Sequence, residues 1–155
     1  MVCRVPGKHS KHRSGCPVSA ALDVFGDRWS LLIVRDLMIR GYRTFKQFEG
    51  SGEGIATNIL SDRLAKLERA GIVATEADES DRRKVNYRLT RKGIDLAPVL
   101  LELLIWGARH EESDAPCRLI EHMAANREYL LAEVRRRWEK HDSTPLQVNG
   151  QWVWP

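Results

Sequence analysis

Three observations predict a mainly α-helical fold carrying one small β-hairpin. Apolar residues recur at three- and four-residue spacing over most of the stretch from Pro17 to Ala108. That period changes to two between Val73 and Leu89, around a charged turn. Glycines and capping residues cut the helical stretches into short pieces. At 155 residues with 43% hydrophobic content, the chain can bury a core and is sized for one domain, or a small domain with an extension.

Residues 1–15 contain four Lys/Arg, two His and no acid, so they are expected to form a flexible basic arm. In PVSAALDVFG, the spacing of Val18, Ala21, Leu22 and Phe25 predicts a helix that ends at Gly26. DRWSLLIVRDLMIRG places Trp29, Leu32, Ile33, Leu37 and Met38 on a wide apolar face, with Gly41 as the stop. Thr44 and Gln47 have the spacing of a capping box, which predicts a short helix over 45–49 with Phe45 and Phe48 turned inward. GSGEG forms a turn. A longer helix follows over 56–70, buried along Leu60, Leu64 and Leu67 and closed by Gly71.

Val73 and Thr75 open the first strand. Val85, Tyr87 and Leu89 alternate with Asn86 and Arg88 in the second, which is therefore half-buried. Thr90 caps a long helix through His110, and Pro98 should bend it. Leu96, Val99, Leu100, Leu101, Leu103, Leu104, Ile105 and Trp106 make this helix apolar on nearly every side, so part of it needs a partner, most simply a second copy. A single last helix is expected from Pro116 to His141, with Leu119, Ile120, Met123, Leu130, Val134 and Trp138 on one side, then a polar loop and tail.

The order helix, short helix, glycine-rich turn, longer helix, hairpin is that of a winged helix-turn-helix, in which the second helix of the pair enters the DNA major groove. Advancing about 100° per residue puts Asn58, Asp62 and Arg69 opposite the Leu60 stripe. Thr57, Asn58 and Ser61, near the helix start, are the expected base-reading residues, since Asn can pair bidentately with adenine and a hydroxyl with either partner. Arg63 and Lys66 suit phosphates at the rim, while Asp62 orients an Arg or accepts from a cytosine amino group. Arg82, Arg83 and Lys84 put three cations on the hairpin tip, which suits a phosphate or minor-groove contact, with a solubilising turn as the alternative that Asp78, Glu79 and Asp81 favour. Thr44 and Lys46, with the amides of their short helix, could hold a further phosphate.

The net charge of +4 is unevenly placed. The arm holds four positive charges; residues 41–92 hold eleven basic against eight acidic residues; residues 93–115 hold one against five. Positive charge thus gathers on the arm and the candidate DNA-reading segment, the electrostatic footprint of a polyanion partner.

Several other chemistries are weaker. Cys3, His9, His12 and Cys16 lack the spacing of a zinc knuckle. The sequence from His110 carries Asp114 where a zinc protease helix needs its second His. GSGEG has neither the Lys nor the preceding strand of a phosphate loop. No nucleophile–base set stands out, and neither a metal nor a cofactor is expected. The longest apolar stretch, around Leu96 to Ala108, is broken by Pro98 and Glu102 and is too short to span a membrane. The N-terminus lacks the apolar run of a secretory signal, and three cysteines form no disulfide framework, so a cytoplasmic protein is expected. Trp29 and Trp106 are expected in the core or a dimer interface, Trp138 within the last helix, and Trp152 and Trp154 on one side of an extended tail, where an aromatic ligand cage is a weaker alternative.

CPVSAALDVFGDRWSLLIVRDL, GIATNILSDRLAKLERAGIV and VNYRLTRKG resemble the opening, recognition helix and second wing strand of HxlR-type transcriptional regulators, over residues 16–109. The resemblance implies a cytoplasmic, DNA-binding homodimer joined through its first and last domain helices. It adds to the reading of Val18, Leu22, Leu100, Leu103, Leu104 and Trp106 as interface residues. It also implies that Cys16 matches a cysteine with which some members sense oxidants or electrophiles, a role that fits the reactivity of thiols at helix starts. The expected partners are a double-stranded DNA operator, a second copy and a redox or small-molecule effector, with no membrane. A dimeric protein-interaction or ligand-binding module without DNA binding is the alternative. Residues 116–155 have no counterpart in short members, and no role carries over to them.

Overall fold

The computed structural model describes residues 15–78, 81, 84–148 and 150–152; for Gln151 and Trp152 the backbone alone is considered. The arm before Gly15, Arg82, Arg83 and Trp154 fall outside these residues, and with them Cys3, His9 and His12.

Helix α1 (Pro17–Phe25) is followed by a turn and α2 (Ser30–Arg35). Helix α2 does not run straight to Gly41 but widens into a π turn over Asp36–Arg40. Gly41 ends it with φ +73°, and its amide donates to the Asp36 carbonyl. Helix α3 (Phe45–Glu49) carries the full capping box. The Thr44 hydroxyl accepts from the Gln47 amide, and the Gln47 side chain accepts from the Thr44 amide at 2.9 Å. After a turn at 50–54 comes α4 (Thr57–Arg69), with Leu60, Leu64 and Leu67 buried as its spacing predicts. Strands β1 (Val73–Ala77) and β2 (Val85–Leu89) pair antiparallel, Val73 opposite Leu89 and Ala77 opposite Val85. Val85 differs from the alternating pattern: it lies beyond the body and is exposed.

Three expectations about the second half need correcting. The long helix predicted from Thr90 is two, α5 (Arg91–Ile94) and α6 (Ala97–His110). Pro98 does not bend a helix; it sits in the first turn of α6, where its missing N–H costs no helical hydrogen bond. The last helix is also two, α7 (Cys117–Ala125) and α8 (Arg127–Glu139), divided at Asn126. The Asn126 side chain donates to the His122 carbonyl at 2.8 Å and competes with helix continuation. The polar tail forms a second hairpin, β3 (Gln147–Val148) with β4 (Gln151–Trp152).

One hydrophobic cluster joins these parts. Leu119, Ile120 and Met123 of α7, Leu130 and Val134 of α8, and Leu146 and Val148 beyond them are buried in the same core as α2, α4 and α6. The Leu146 amide donates to the Ile39 carbonyl at 2.7 Å, pinning the C-terminal segment to the π turn. Trp138 does not pack within its own helix alone: its indole N–H donates to the Leu89 carbonyl on β2 at 2.7 Å.

A buried ionic cluster fixes the junction between α2 and the turn before α4. Asp36 is buried, and the Arg35 guanidinium reaches it at 2.7 Å and Glu53 at 2.8 Å. Arg40 approaches Asp36 at 3.4 Å and donates to the Ser51 carbonyl at 2.9 Å. Burial pushes the Asp36 carboxyl up, against the attraction of Arg35 and Arg40.

Gly41 bears two constraints. Its φ is positive, and a Cβ built there would lie 1.9 Å from the Ser143 carbonyl of the C-terminal segment. Gly41→Ala should therefore cost about 2–4 kcal/mol. Gly71→Ala, with the same backbone sign but open space around the new carbon, should cost less. Urea denaturation of both variants checks the ranking, and equal losses would remove the role given to the Ser143 contact.

Candidate nucleic-acid interface

Helix α4 divides its side chains by face. Thr57, Asn58, Ser61 and Asp62 are exposed, and the leucine stripe opposite holds the helix to the core. The predicted base-reading residues are thus brought together on one outward row at the helix start. Ala56, the residue before α4, provides no side-chain cap.

Arg63 and Lys66 sit differently from the simple rim expected. Both are half-buried and turn toward Asp27 in the α1–α2 turn, Arg63 at 3.5 Å and Lys66 at 3.4 Å. Arg63 also reaches Asp62 at 3.3 Å, the Arg-orienting role foreseen for that acid. Asp27 in turn accepts from the Ser30 amide at 2.9 Å, the Trp29 amide at 3.0 Å and the Ser30 hydroxyl at 2.6 Å. Asp27 is the positioning residue that sequence reasoning missed. Its signal was the Asp-x-x-Ser spacing, which places a carboxylate over the first free amides of α2. Burial works against its charge, but the hydrogen bonds from Ser30 and Trp29 and the nearby Arg63 outweigh it and hold the carboxyl below its ordinary value.

Around the row, Lys46 is exposed and Thr44 half-buried. The capping box already uses the Thr44 and Gln47 amides, so what α3 offers an anion is its remaining first-turn amides. At the hairpin tip Lys84 is exposed. The turn there is tied by Asp78, whose carboxylate accepts from the Asp81 amide at 3.1 Å and the Asn86 side chain at 3.0 Å. Asp78 thus shapes the tip as well as offsetting its charge. Arg82 and Arg83 lie outside the described residues.

The predicted interface residues separate into two groups. Val18 (67% exposed), Leu22 (56%), Leu103 (48%) and Trp106 (55%) are open to solvent, and α1 buries none of its nine residues. Leu104 is half-buried, whereas Leu100 lies in the chain's own core, which corrects its expected place at an interface. Cys16 and Cys117 are exposed. Among the described residues no group of metal-ligating side chains is assembled, and no helix is long and apolar enough to cross a membrane.

A helix pair, an outward polar row on its second helix and a hairpin beside it define a winged helix-turn-helix transcriptional regulator. The chain belongs to the HxlR-like helix-turn-helix family, whose model matches residues 24–115. It is 34% identical to the HTH-type transcriptional regulator YodB of Bacillus subtilis over 104 residues, 66% of this chain and 92% of the relative. To the uncharacterized HTH-type regulator Rv3095 of Mycobacterium tuberculosis it is 35% identical over 114 residues, 72% of this chain and 71% of that one. Among solved structures, the putative transcription factor PA1607 superposes with a TM-score of 0.61 at 39% identity, covering 67% of this chain and 71% of that one. The redox regulator HypR in its oxidized form superposes at 0.57 with 33% identity, covering 63% and 100%. These relatives are transcription regulators rather than enzymes, and the family implies a DNA partner.

The Asp27 cluster makes a pH prediction. A carboxyl held low in the folded protein contributes stability above its unfolded value, about 3.9, and loses it as pH falls through the folded value. Asp27→Asn should flatten the loss of melting temperature on going from about pH 5 to pH 2. Parallel acid slopes in the two proteins would count against this assignment.

Proposed function

We propose that the protein is a homodimeric, sequence-specific double-stranded DNA-binding transcriptional regulator. The observation that carries this reading is the outward row Thr57, Asn58 and Ser61 on a helix whose opposite face is locked into the core. Such a row presents hydrogen-bonding side chains to base edges while the body fixes their direction. Arg63 and Lys66, prepositioned by Asp27, with Lys46, Thr44 and the tip residues Arg82, Arg83 and Lys84, supply phosphate contacts. The DNA-binding and dimerising unit spans 16–109, with 110–155 as an extension. The cytoplasm is the matching compartment.

The exposed apolar side chains of α1 and α6 support dimerisation. In the dimer two copies of α4 would lie about one DNA turn, ~34 Å, apart and read a pseudo-palindrome. For Cys16 an oxidant-sensing role is supported by its exposure at the start of α1 and by the similarity to the redox regulator HypR.

Selection of bound sites from random DNA, with and without oxidant and with Cys16→Ser, tests these roles together. A symmetric enriched site is expected; retention of no sequence at low salt would favour a protein-interaction module instead. Asn58→Ala should lose about 1–3 kcal/mol of discrimination at one base pair. Lys84→Ala should weaken all sequences alike and make the salt slope shallower by about 0.9. An unchanged slope would remove Lys84 from the phosphate contacts. Trp106→Glu should shift the protein from dimer to monomer in light scattering, because a charge cannot be buried unpaired at an apolar interface.

A further inference from the structure

A pocket of about 220 Å³ opens between β2, the π turn and α8, away from the outward row of α4. Three arginines line it: Arg43 before α3, Arg88 on β2 and Arg137 on α8. Two are already engaged. Arg137 pairs with Asp142 at 3.2 Å and donates to Thr144. Arg88 donates to the Trp138 carbonyl at 3.1 Å, lies 5.6 Å from the Trp138 ring centroid, and reaches Glu76 only at 3.7 Å.

Arg43 is different. One of its terminal nitrogens donates to the Leu37 and Tyr42 carbonyls, each at 2.8 Å, and both acceptors are neutral. Among the described residues no carboxylate comes within ion-pairing distance of it. It is held instead in a half-buried place, where burial, Arg88 and Arg137 work against its charge and Asp142 and Glu76 favour it from beyond pairing distance. An underpaired guanidinium in a pocket is costly unless an anion completes it.

The rest of the lining is mixed: Glu76, Asn86, His141, Asp142 and Ser143 are polar, and an apolar and aromatic side faces them. Leu37 and Val134 line it beside the Trp138 ring. A guanidinium fork matches a planar carboxylate in two parallel hydrogen bonds, and an indole matches a flat ring. The volume is below the ~300–1,000 Å³ of sites for drug-sized ligands, so the ligand is small. Val134, Arg137 and Trp138 come from the extension, beyond the 24–115 stretch that matches the family, so the pocket belongs to this longer form of the chain.

We propose that this pocket binds a small aromatic carboxylate, its carboxylate on Arg43 and its ring against Trp138. The site is separate from DNA binding and is measured on the unliganded full chain, so it stands or falls independently of the function proposed above. The probe is benzoate, titrated calorimetrically, with its neutral isostere benzamide and inorganic phosphate as comparisons. Saturable binding of one benzoate per chain is expected, with benzamide and phosphate at least tenfold weaker. Arg43→Gln should weaken benzoate at least tenfold while the far-ultraviolet dichroism stays that of the wild type. Should that variant fail to fold, Arg88→Gln, which keeps the Arg43 hydrogen bonds, replaces it with the same direction of effect. Benzamide binding as well as benzoate, phosphate binding in preference to it, no saturable heat, or full affinity in the folded variant would each overturn the proposal.

Discussion

The placement of helix α4 depends on one buried carboxylate. Asp36 lies where α2 widens into the π turn, and Arg35 spans from it to Glu53 in the turn that feeds α4. Arg40 closes the same loop from below through Asp36 and the Ser51 carbonyl. A buried ion of this kind contributes little net stability, because desolvation offsets most of the attraction. Its value is geometric. Charges in a poorly solvated place tolerate few arrangements, so the α2 axis, the glycine turn and the start of α4 share one relative position. The leucines of α4 supply the adhesion and the ionic cluster supplies the register.

Much of this was legible in the residues. The leucine stripe of α4, the Thr44–Gln47 capping box, the Gly41 and Gly71 stops and the hairpin each have a local cause, so a short window suffices to find them. The outward row followed from the stripe by rotation alone. What was not legible depends on partners distant in sequence. Nothing near Arg63 or Lys66 tells that Asp27, more than thirty residues away, pairs with them. The apolar run after Thr90 conceals the step between α5 and α6, because a broken pair and a kinked helix bury similar side chains. Asn126 gave a weak signal inside a strongly periodic stretch, and α7 and α8 were read as one. Leu100 was assigned to a partner because an all-round apolar helix does not say which of its sides meets its own core.

The extension changes how the winged unit is enclosed. Segments after His110 cover α6, reach the π turn through Leu146 and grip β2 through Trp138. Strand β2 is thus tied to α8 at two adjacent residues, Leu89 and Arg88, both through Trp138. The outer face of α1 and the Leu103–Trp106 face of α6 stay open. The chain therefore buries the side of α6 that the extension reaches and leaves the other open to solvent.

The missing cap of α4 has a consequence of its own. With alanine before the helix, the first-turn amides at Thr57, Asn58 and Ile59 have no side-chain cap among the described residues. These amides stand at the positive end of the helix dipole, beside the residues that point outward. A phosphate oxygen seated there would be both ligand and structural completion, the helix lending direction and the nucleic acid lending the acceptor. Were a DNA phosphate to sit there, fraying of that first turn and its tightening on DNA would be one equilibrium, which amide exchange at these three positions would read directly.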